Sequence, residues 1–390
     1  MNRTIHNKRI CFISSRSGFV TEENSFSMDW ANGRLIHELS REFESTFSVA
    51  IFSDPSFNSH YNFPVHVNKI YPLPFPFSYI GGLKNIFRIN KVLNLIEQEN
   101  DLLIVQLPFI GFPALLKIKK PMVFHVCANV LTAAKNPFKY KSFARVASGS
   151  FAQFIHQVNR SLFKRKDSRL IVNGKELSEI YNSFDPILVV SSSIYSTEMI
   201  SQSDINTRSE QEEFRILFIG RPSKEKGFHT LVDAFIDLVN AGRPVTLKLL
   251  GVKREELDAI LDKRIPNLYS DKIDCLGFIS WGIEFRDIVQ SSHCLVVSSV
   301  SEGTPRVLIE ARALGCPVVA TNIGGIASSV TDNVDGVLIN PGKPLEISAA
   351  INSLFDERRR MELARNGLKT AKKHSLEIFV KNFKDTVLEL

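Results

Sequence analysis

Residues 297–318 read VSSVSEGTPRVLIEARALGCPV, and the apolar segments on either side of this stretch indicate how the chain folds. The segments His293–Val297 and Pro317–Thr321 have the near-continuous apolar character of buried parallel strands. Between them, apolar residues recur at helical spacing, at Val307, Leu308, Ala311 and Leu314. The order strand, helix, strand predicts a parallel crossover, which is the building unit of α/β proteins.

Both ends of this helix carry sequence signals. Pro305 is expected in the first helical turn, where its missing N–H would have no partner anyway, and Thr304 is expected to cap the helix. Gly315 is expected to end the helix, because glycine adopts the left-handed backbone conformation that often follows a last turn.

Two carboxylates lie in this unit, with seven residues between them: Glu302 in the turn and Glu310 in the helix. Free N–H groups at the start of the helix predict an anion site beside Glu302. One alternative is structural, with Glu302 favouring a helix N-terminus and Glu310 facing solvent. The apolar neighbours of Glu310 favour the other alternative, in which this carboxylate has a partner or a ligand.

The length of the chain, its cysteine content and its apolar segments limit the class of protein to which it can belong. A chain of 390 residues predicts two domains. The 5 cysteines are widely spaced and include no C-x-x-C pair, which predicts free thiols in a reducing compartment. The N-terminal residues lack the apolar core of a signal peptide, and the longest apolar region, 102–116, is broken by prolines. We therefore expect a cytoplasmic protein, located in part on the inner face of the plasma membrane.

The positive charge of the chain is concentrated between Lys117 and Lys175, with 13 basic residues and one acidic residue, Asp167. Within this region, Lys139–Lys166 alternates phenylalanines and aliphatic residues with lysines and arginines. A basic amphipathic helix of this kind predicts contact with an anionic membrane, or a helix whose apolar side packs inward; both alternatives stay open. Nucleic acid is not expected as a partner, because no nucleic-acid-binding motif accompanies the patch.

The first half of the chain reads as an open α/β sheet. A strand at Arg9–Ser14, a polar turn at Ser15–Gly18, a helix at Asn32–Phe43 and a strand at Phe47–Phe52 begin it. The proline-spaced segment Tyr71–Phe77 is expected to be a loop. The predicted domains are an N-terminal domain at 1–195, a polar linker at 196–213, a C-terminal domain at 214–370 and a C-terminal helix at 371–390.

The second half repeats the α/β pattern. The strand Arg215–Ile219 is followed by the loop Gly220–Gly227, which places Arg221 and Lys226 at a strand C-terminus, where open sheets bind phosphates. Arginine offers a planar fork to phosphate oxygens and lysine a point charge. The loop is not a P-loop, and no G-x-G-x-x-G motif is present. A third turn, Asn322–Gly325, predicts close approach of backbone to a ligand.

Three motifs carry a resemblance to a known family: GRPSKEKG at 220–227, the two glutamates of SEGTPRVLIEA at 301–311, and GCPVVATNIGG at 315–325. In this order they resemble the retaining glycosyltransferases of family 4. The resemblance extends over residues 214–341, and the first half agrees only in its strand pattern. It implies the GT-B architecture, with two Rossmann-like domains that face a cleft and a C-terminal helix that crosses back to the first domain.

The resemblance also implies roles for residues of this chain. Arg221 and Lys226 would hold the diphosphate of a nucleotide sugar, and Glu302 would contact hydroxyls of the donor sugar. Glu310 would hold the ribose. The remaining residues implied at the donor site are Gly18, Gly220, Gly251, Phe278, Ile279, Thr304, Pro305, Arg306 and Val307.

The sequence departs from the family pattern at three places. Gly303-Thr304-Pro305 follows the first glutamate, where many members have Gly-Phe-Gly. The slot of a histidine near the reacting sugar falls on Cys127, while His125 stands two residues earlier and would share its strand face. His125 is therefore a candidate catalytic residue, with a core histidine as the alternative. The glycine-rich turn of the first domain is reduced to Gly18.

The implied reaction is transfer of a hexose from a nucleotide sugar, UDP rather than GDP, to a glycan or lipid-linked acceptor in cell-surface polysaccharide synthesis. The resemblance implies retention of configuration by attack on the same face, and no second carboxylate is placed as a covalent nucleophile. No metal ion is expected, because no Asp-x-Asp motif is present and cations at the phosphate can neutralise its charge. No cofactor beyond the donor substrate is expected. The alternatives are a non-catalytic nucleotide-sugar-binding or membrane scaffold protein, and a sugar-nucleotide epimerase on the same fold.

Overall fold

The computed structural model describes residues 8–43, 46–56, 63–75, 85–109, 111–135, 142–190, 213–261 and 267–390. The chain divides into two compact units, Met1–Ser193 with Glu377–Leu390, and Ile194–Leu376. Apart from Glu213, the linker predicted at 196–213 lies outside the described residues. Within the described ranges, the helices fall short of the length and apolar character that a membrane crossing requires.

The first unit is built on a mainly parallel sheet. Seven of its strands pair in parallel in the order β5-β3-β1-β6-β7-β8-β9, and β2 and β4 add an antiparallel extension. The strand bounds are β1 Ile10–Glu22, β2 Ser25–Met28, β3 Phe47–Ser53, β4 Phe63–His66, β5 Lys69–Pro74, β6 Leu102–Leu107, β7 Met122–Val126, β8 Ser168–Asn173 and β9 Ile187–Val189. Strands β6 and β7 are buried along their whole length, as continuous apolar runs in a parallel sheet predict.

Helices connect these strands and bury their apolar faces on the sheet. They are α1 Trp30–Phe43, α2 Ile86–Glu99, α3 Phe112–Leu115, α4 Val130–Lys135, α5 Ser142–Phe163 and α6 Lys175–Ile180. The predicted face of α2 is confirmed, because Ile89, Leu93 and Ile96 are buried. In α5, Ile155, Val158, Leu162 and Phe163 join the core of this unit. The apolar side of this helix from 155 onward therefore packs inward, while Phe154 stays 56% exposed.

Two elements of the first unit differ from their prediction. The segment Ser15–Gly18 is not a turn: β1 continues through it, irregular between Ile13 and Ser17, and the chain turns only at residues 23 and 24. The side chain of Gln106 accepts hydrogen bonds from the N–H and the hydroxyl of Ser15, at 3.1 and 3.0 Å. These contacts with a neighbouring strand hold an extended backbone where the polar sequence predicts a turn.

Residues 71–74 of the segment predicted to be a loop also differ from the prediction, because 69–74 form strand β5, while Pro76 and Phe77 lie outside the described residues. Among the described strands β5 pairs with β3 alone, so it lies at the sheet edge. An edge strand tolerates Pro72 and Pro74, since a proline there need not donate to a second neighbour.

The second unit is a six-stranded parallel sheet in the order β12-β11-β10-β13-β14-β15, counted over the ranges given above. Its strands are β10 Phe214–Ile219, β11 Val245–Leu250, β12 Ile273–Gly277, β13 Cys294–Val297, β14 Val318–Thr321 and β15 Val337–Ile339. The chain first builds outward from β10 to β12, then returns to the other side of β10 at β13. Loops after β10 and β13 therefore flank the point where the strand order reverses, which is where open α/β sheets bind ligands.

Five helices connect the described strands of this unit, and two more follow the last strand. They are α7 Phe228–Asn240, α8 Arg254–Leu261, α9 Ile283–Ser291, α10 Arg306–Ala313, α11 Gly324–Ser329, α12 Pro344–Ser353 and α13 Glu357–Lys372. The predicted inward face of α7 is confirmed by the burial of Leu231, Ala234, Phe235 and Leu238.

The predicted crossover unit forms, with one correction at the start of its helix. Helix α10 begins at Arg306, and Pro305 rather than Thr304 occupies the capping position, without a side-chain cap. At the other end Gly315 has φ +68°, its N–H donates to Arg312, and the N–H of Cys316 donates to Ala311. This pair of bonds is a Schellman motif, which only a residue at ease with positive φ completes without strain.

The C-terminal helix α14, Leu376–Leu388, belongs from Glu377 onward to the first unit. Phe379 and Phe383 are buried and their rings lie 5.6 and 4.9 Å from the imidazole of His125 on β7. His125 is fully buried, and burial lowers its pKa to about 3. The structure thus gives His125 a position in the core instead of the catalytic position predicted for it, because the last helix covers this face of the sheet.

A buried ion pair holds α10 in place within the second unit. The guanidinium of Arg312 donates to Asp335 at 3.0 Å and to the carbonyl of Ser329 at 2.8 Å. Asp335 also accepts from the hydroxyl of Thr370 at 2.7 Å and from the N–H of Thr331 at 2.7 Å. The side chains of the pair are 0% and 5% exposed, so neither charge is compensated by water.

Removal of one charge from this pair tests its contribution. Asp335→Ala is expected to lower the free energy of unfolding by about 3–5 kcal/mol, because Arg312 would remain charged and buried without its carboxylate. The measurement is urea denaturation, with Asp233→Ala on the exposed side of α7 as the control, expected within about 0.5 kcal/mol of the parent. A loss below about 1 kcal/mol for Asp335→Ala would show that the pair does not stabilise the unit.

Burial of His125 predicts acid sensitivity. Its pKa is near 6.5 when unfolded and about 3 when folded, so below pH 6.5 the unfolded chain binds a proton that the folded chain does not. The stabilisation from neutral His125 is therefore complete above pH 6.5 and is lost as the pH falls toward 3. His125→Leu should flatten the dependence of unfolding free energy on pH between 6 and 4 by about 1.4 kcal/mol per pH unit.

The matched control for this substitution is Phe124→Leu, at the adjacent buried position of β7. It is expected to lower stability at every pH and to retain the slope, because it removes packing and no titrating group. Equal slopes for His125→Leu and the parent protein would contradict the effect.

Candidate functional site

The candidate site begins with the loop after β10. Gly220 has φ +150° and donates its N–H to the carbonyl of Leu250 at 2.9 Å. Gly251, at the end of β11, has φ +88°, and a Cβ there would lie 3.0 Å from the carbonyl oxygen of Gly220. Both glycines therefore serve close packing of backbone at the C-terminal ends of two neighbouring strands.

The loops after β10 and β13 are joined directly. Gly227 has φ +61°, and a Cβ at this position would lie 1.9 Å from the carbonyl oxygen of Ser298. The hydroxyl of Ser298 donates to the carbonyl of Lys226 at 2.9 Å, and the N–H of Val300 donates to the carbonyl of Glu225 at 2.9 Å. No larger residue fits at 227 without separating the loops, so the Lys-Gly end of the motif is a structural requirement.

This junction brings together two residues that the sequence analysis placed on separate motifs. The ammonium of Lys226 forms an ion pair with the carboxylate of Glu302, and the two side chains are 28% and 16% exposed. The hydroxyl of Ser299 donates to the same oxygen of Glu302 at 3.3 Å. A cation and an anion thus lie half-buried at the point where the strand order reverses.

Two further residues support Glu302 and were not predicted. The carbonyl of Ser299 accepts from the hydroxyl of Thr321, at the end of β14, at 2.7 Å. Ser299 is 1% exposed and Thr321 is fully buried. The sequence signal that could have predicted these two residues is a hydroxyl side chain at the end of an apolar strand, as at Thr321, or just after one, as at Ser299.

Arg221 lies in the same loop as Lys226 and is exposed. Within the described ranges its guanidinium forms no hydrogen bond or ion pair, in contrast to the ammonium of Lys226. An exposed guanidinium at the C-terminal end of β10 is placed to meet an anion from solvent.

The start of α10 follows the loop that carries Glu302, the partner of Lys226. The backbone at Pro305, Arg306 and Val307 is partly exposed, and the first N–H groups of a helix have no partner inside the helix. These groups, together with the helix dipole, favour an anion here.

For the turn Asn322–Gly325, close approach of the backbone to a ligand stays a prediction, but at Gly325 the neighbouring group is the protein itself. A Cβ at Gly325 would lie 2.4 Å from the hydroxyl of Thr304 and 2.6 Å from the backbone of Gly303. The space at Gly325 is therefore filled by the loop that carries Glu302, and it is not left open to a ligand.

Glu310 is 7% exposed on α10. Its burial rules out the alternative of a solvated helix residue.

At the C-terminal end of β12, Phe278 is 54% exposed and Ile279 is partly buried, so this strand end also presents apolar surface to solvent.

The two remaining predicted residues belong to the first unit. Gly18 pairs with Ser53 in the sheet, and a Cβ there would lie 2.9 Å from the carbonyl oxygen of Ser27. Its requirement for glycine comes from packing against strand β2, and its approach to a phosphate stays a prediction. His125, as described above, is buried beneath α14 and exposes no atom.

The described ranges contain no group of three or more His, Cys, Asp or Glu side chains that could hold a metal ion. The loops at the ends of β10 and β13, together with Arg306 at the start of α10, carry four cationic side chains and two carboxylates, among them Arg221, Lys226 and Glu302. Chemically, this set is suited to bind a phosphorylated ligand that also carries hydroxyl groups.

Comparison with known sequences agrees with this geometry. Residues 200–374 match the family model of glycosyl transferases group 1. An uncharacterized glycosyltransferase of Methanocaldococcus jannaschii is 27% identical over 326 residues, covering 80% of this chain and 81% of the relative. The capsular polysaccharide biosynthesis glycosyltransferase CapM of Staphylococcus aureus is 30% identical over 164 residues, covering 40% of this chain and 41% of the relative.

Solved structures share the fold of the whole chain. Anabaena HepE, in complex with UDP and glucose, superposes with a TM-score of 0.69 at 20% identity, over 98% of this chain and all of the neighbour. Sucrose-phosphate synthase from Thermosynechococcus elongatus superposes with a TM-score of 0.71 at 16% identity, over 98% of this chain and 99% of the neighbour.

These neighbours have the GT-B fold, and the predicted α/β architecture of this chain is confirmed. The part of the chain that matches the family of glycosyl transferases group 1 contains Arg221, Lys226, Glu302 and Glu310.

Proposed function

We propose that this protein is a retaining, metal-independent glycosyltransferase that moves a hexose from a nucleoside-diphosphate sugar to a glycan or lipid-linked acceptor. The observation that carries the proposal is the Lys226–Glu302 pair at the reversal point of the second sheet, inside the segment that matches the family. Phosphate and hydroxyl groups are what a lysine and a carboxylate recognise side by side.

The diphosphate would bind at the ends of β10 and β13. Arg221 offers a planar fork to phosphate oxygens, Lys226 a point charge, and the first turn of α10 offers backbone N–H groups. When the bond between the anomeric carbon and the diphosphate breaks, negative charge develops on the leaving oxygen. Fixed cations and dipoles at that position lower the energy of the transition state, and they replace the charge that a metal ion would supply.

Glu302 would accept hydrogen bonds from hydroxyls of the donor sugar, and buried Glu310 from the ribose. The acceptor hydroxyl would attack the anomeric carbon on the face from which the diphosphate leaves, and the leaving oxygen would take its proton. Configuration is then retained without a covalent intermediate, so the reaction needs no second carboxylate as nucleophile.

The base would contact the C-terminal ends of β11 and β12, near Gly251, Phe278 and Ile279. Exposed Phe278 provides apolar surface for a flat ring. UDP is favoured over GDP because HepE, which shares the fold, was solved with UDP and with UDP-glucose. A role in cell-surface polysaccharide synthesis is supported by the similarity to CapM.

Two other functions predict different results. A scaffold protein on this fold would bind the nucleotide without turnover with any acceptor, and an epimerase would change the sugar without an acceptor. Glu302→Ala distinguishes these from a transferase if it retains nucleotide binding and loses transfer.

A membrane-facing surface in the first unit would bring the protein to a lipid-linked acceptor. The basic region 139–166 was the predicted contact, but its apolar side from 155 onward is buried, Lys139 and Lys141 lie outside the described residues, and the side chains of 142–147 are not described. We propose a broader surface, the basic face, made of the outer sides of α2 and α5 and the segment after α3.

Helix α3 packs against both α2 and α5, and the ring of Phe112 on α3 lies 6.0 Å from that of Phe154. Four large apolar side chains are exposed on this face, Phe87 at 83%, Leu95 at 42%, Leu116 at 52% and Phe154 at 56%. Segments 85–96, 111–120 and 148–166 contain two, three and four basic residues and no acidic residue. Of these cations, Arg165 pairs with Asp167, directly after the third segment. The excess of positive charge around the apolar anchors fits an anionic lipid surface.

Binding of the donor is tested by thermal unfolding with UDP, GDP, ADP and their sugars, with and without EDTA. A ligand at 100 times its Kd should stabilise the folded protein by about 2.7 kcal/mol. We expect UDP to stabilise, EDTA to have no effect, and Arg221→Ala to reduce the shift. Lys224→Ala, an exposed cation in the same loop, should retain it. No shift with any of these nucleotides would overturn the proposed donor site.

Binding to membranes is tested by sedimentation with vesicles of phosphatidylglycerol and phosphatidylcholine, and of phosphatidylcholine alone. The protein is expected to bind only the anionic vesicles. Replacing Arg88, Lys91 and Lys117 by Glu should weaken this binding about 100-fold or more, at roughly 1 kcal/mol for each cation lost.

The matched control replaces three exposed lysines of the second unit by Glu: Lys369 and Lys372 on α13, and Lys373 directly after it. It makes the same change in net charge and should leave vesicle binding intact. Equal losses for both triple variants would show that total charge, and not the basic face, determines binding.

A further inference from the structure

The cation that should meet the diphosphate already has an anionic partner. Lys226 pairs with Glu302, and the pair is held by contacts on both sides: Ser298 donates to the backbone of Lys226 and Ser299 donates to the carboxylate of Glu302. The two residues reach each other across loops whose backbones are in contact at Gly227. The pair is therefore a feature of the packed junction and not of two mobile side chains.

We infer that Glu302 makes donor binding an exchange reaction and thereby determines selectivity for a sugar nucleotide over the free nucleoside diphosphate. The inference rests on the proposed donor site and goes beyond it, because it assigns to Glu302 the role of weakening the binding of the product, the free nucleoside diphosphate. A phosphate that binds Lys226 competes with the carboxylate of Glu302 for the same ammonium group.

The outcome of this competition depends on what the displaced carboxylate meets. At 16% exposure, Glu302 is only weakly hydrated, and the hydrogen-bond donor that remains is the hydroxyl of Ser299. A free diphosphate pairs with the ammonium of Lys226 but offers the carboxylate of Glu302 no hydrogen-bond donor in exchange. The carboxylate then lies close to the negatively charged phosphate. A buried acceptor without adequate donors is costly, and like charges close together add to the cost.

A sugar nucleotide changes this balance. Its hexose hydroxyls donate to the carboxylate at the moment when the phosphate takes Lys226, so both members of the original pair gain a new partner. The exchange then favours the donor over the spent diphosphate. After transfer, Glu302 competes again for Lys226 and promotes release of the product.

The inference predicts opposite effects of one substitution on two ligands. Glu302→Gln removes the negative charge, keeps the size of the side chain and leaves an amide that still contacts hydroxyls. Free UDP should bind about tenfold more tightly to this variant, because its competitor for Lys226 is gone. UDP-glucose should not gain to the same extent, so the preference for the sugar nucleotide over UDP should fall by at least about fivefold.

The controls separate this exchange from general charge effects. Glu225→Gln removes the same charge one residue from Lys226 in the same loop, and it should change UDP affinity by less than about twofold, a distant-charge effect screened by salt. Lys226→Met should weaken UDP binding. The double variant Glu302→Gln with Lys226→Met should bind UDP no more tightly than Lys226→Met, because the two effects act through one contact.

The experiment is isothermal titration of the full chain and its variants with UDP and with UDP-glucose, after thermal unfolding has established that each variant is folded. If Glu302→Gln does not fold, Glu302→Ala makes the same prediction for UDP. Tighter binding of UDP by the Glu302 variant, with a smaller gain for UDP-glucose and with Glu225→Gln unchanged, supports the exchange. An equal gain for both ligands overturns the role of Glu302 in selectivity. Unchanged or weaker UDP binding by the Glu302 variant, or equal tightening by Glu225→Gln, overturns it. Failure of the parent protein to bind any nucleotide would instead refute the donor site.

Discussion

The junction between the loops after β10 and β13 is the constraint on which the second unit's candidate site depends. A Cβ at residue 227 would lie 1.9 Å from the carbonyl oxygen of Ser298, so the two loops meet only because this residue is glycine. Their contact places the ammonium of Lys226 against the carboxylate of Glu302. These loops lie where open α/β sheets bind ligands, because β10 and β13 are the neighbouring strands at which the order of the strands reverses. The cation and the carboxylate thus lie side by side because of one packing arrangement.

Helix α10, which begins after Glu302 and contains Glu310, is held in place by a second constraint. Arg312 and Asp335 form a buried pair that also engages Ser329 and Thr370, and it ties α10 to the segments that follow it. One side of the helix therefore carries Glu310 and the other carries this network. Such a pair contributes little by itself compared with apolar packing, but it is costly to break, and it thereby determines how the helix lies on the sheet.

The sequence predicted most of what depends on local periodicity. The parallel strands, the helix faces and the glycine end of α10 follow from apolar spacing and from backbone preferences, and they appear where expected. The errors occur where a neighbouring strand or helix overrides a local signal. Ser15 stays extended because Gln106 on β6 binds it, and the prolines of 69–74 are accepted because that strand lies at the sheet edge. The basic helix α5 could not be oriented from its pattern alone, since both interpretations require the same amphipathic spacing.

By itself, the sequence determined the two α/β halves, the motifs at 220–227 and 301–311, and the charges available for an anionic ligand. Their chemistry is local, because it depends on residue type and on position at the end of a strand. Only the tertiary structure decided that Lys226 and Glu302 are partners, that Ser299 and Thr321 support them, and that His125 lies beneath the last helix of the chain. These relations join residues tens to hundreds of positions apart. They depend on which loops and helices pack together, and the spacing of residues along the chain carries no record of that packing.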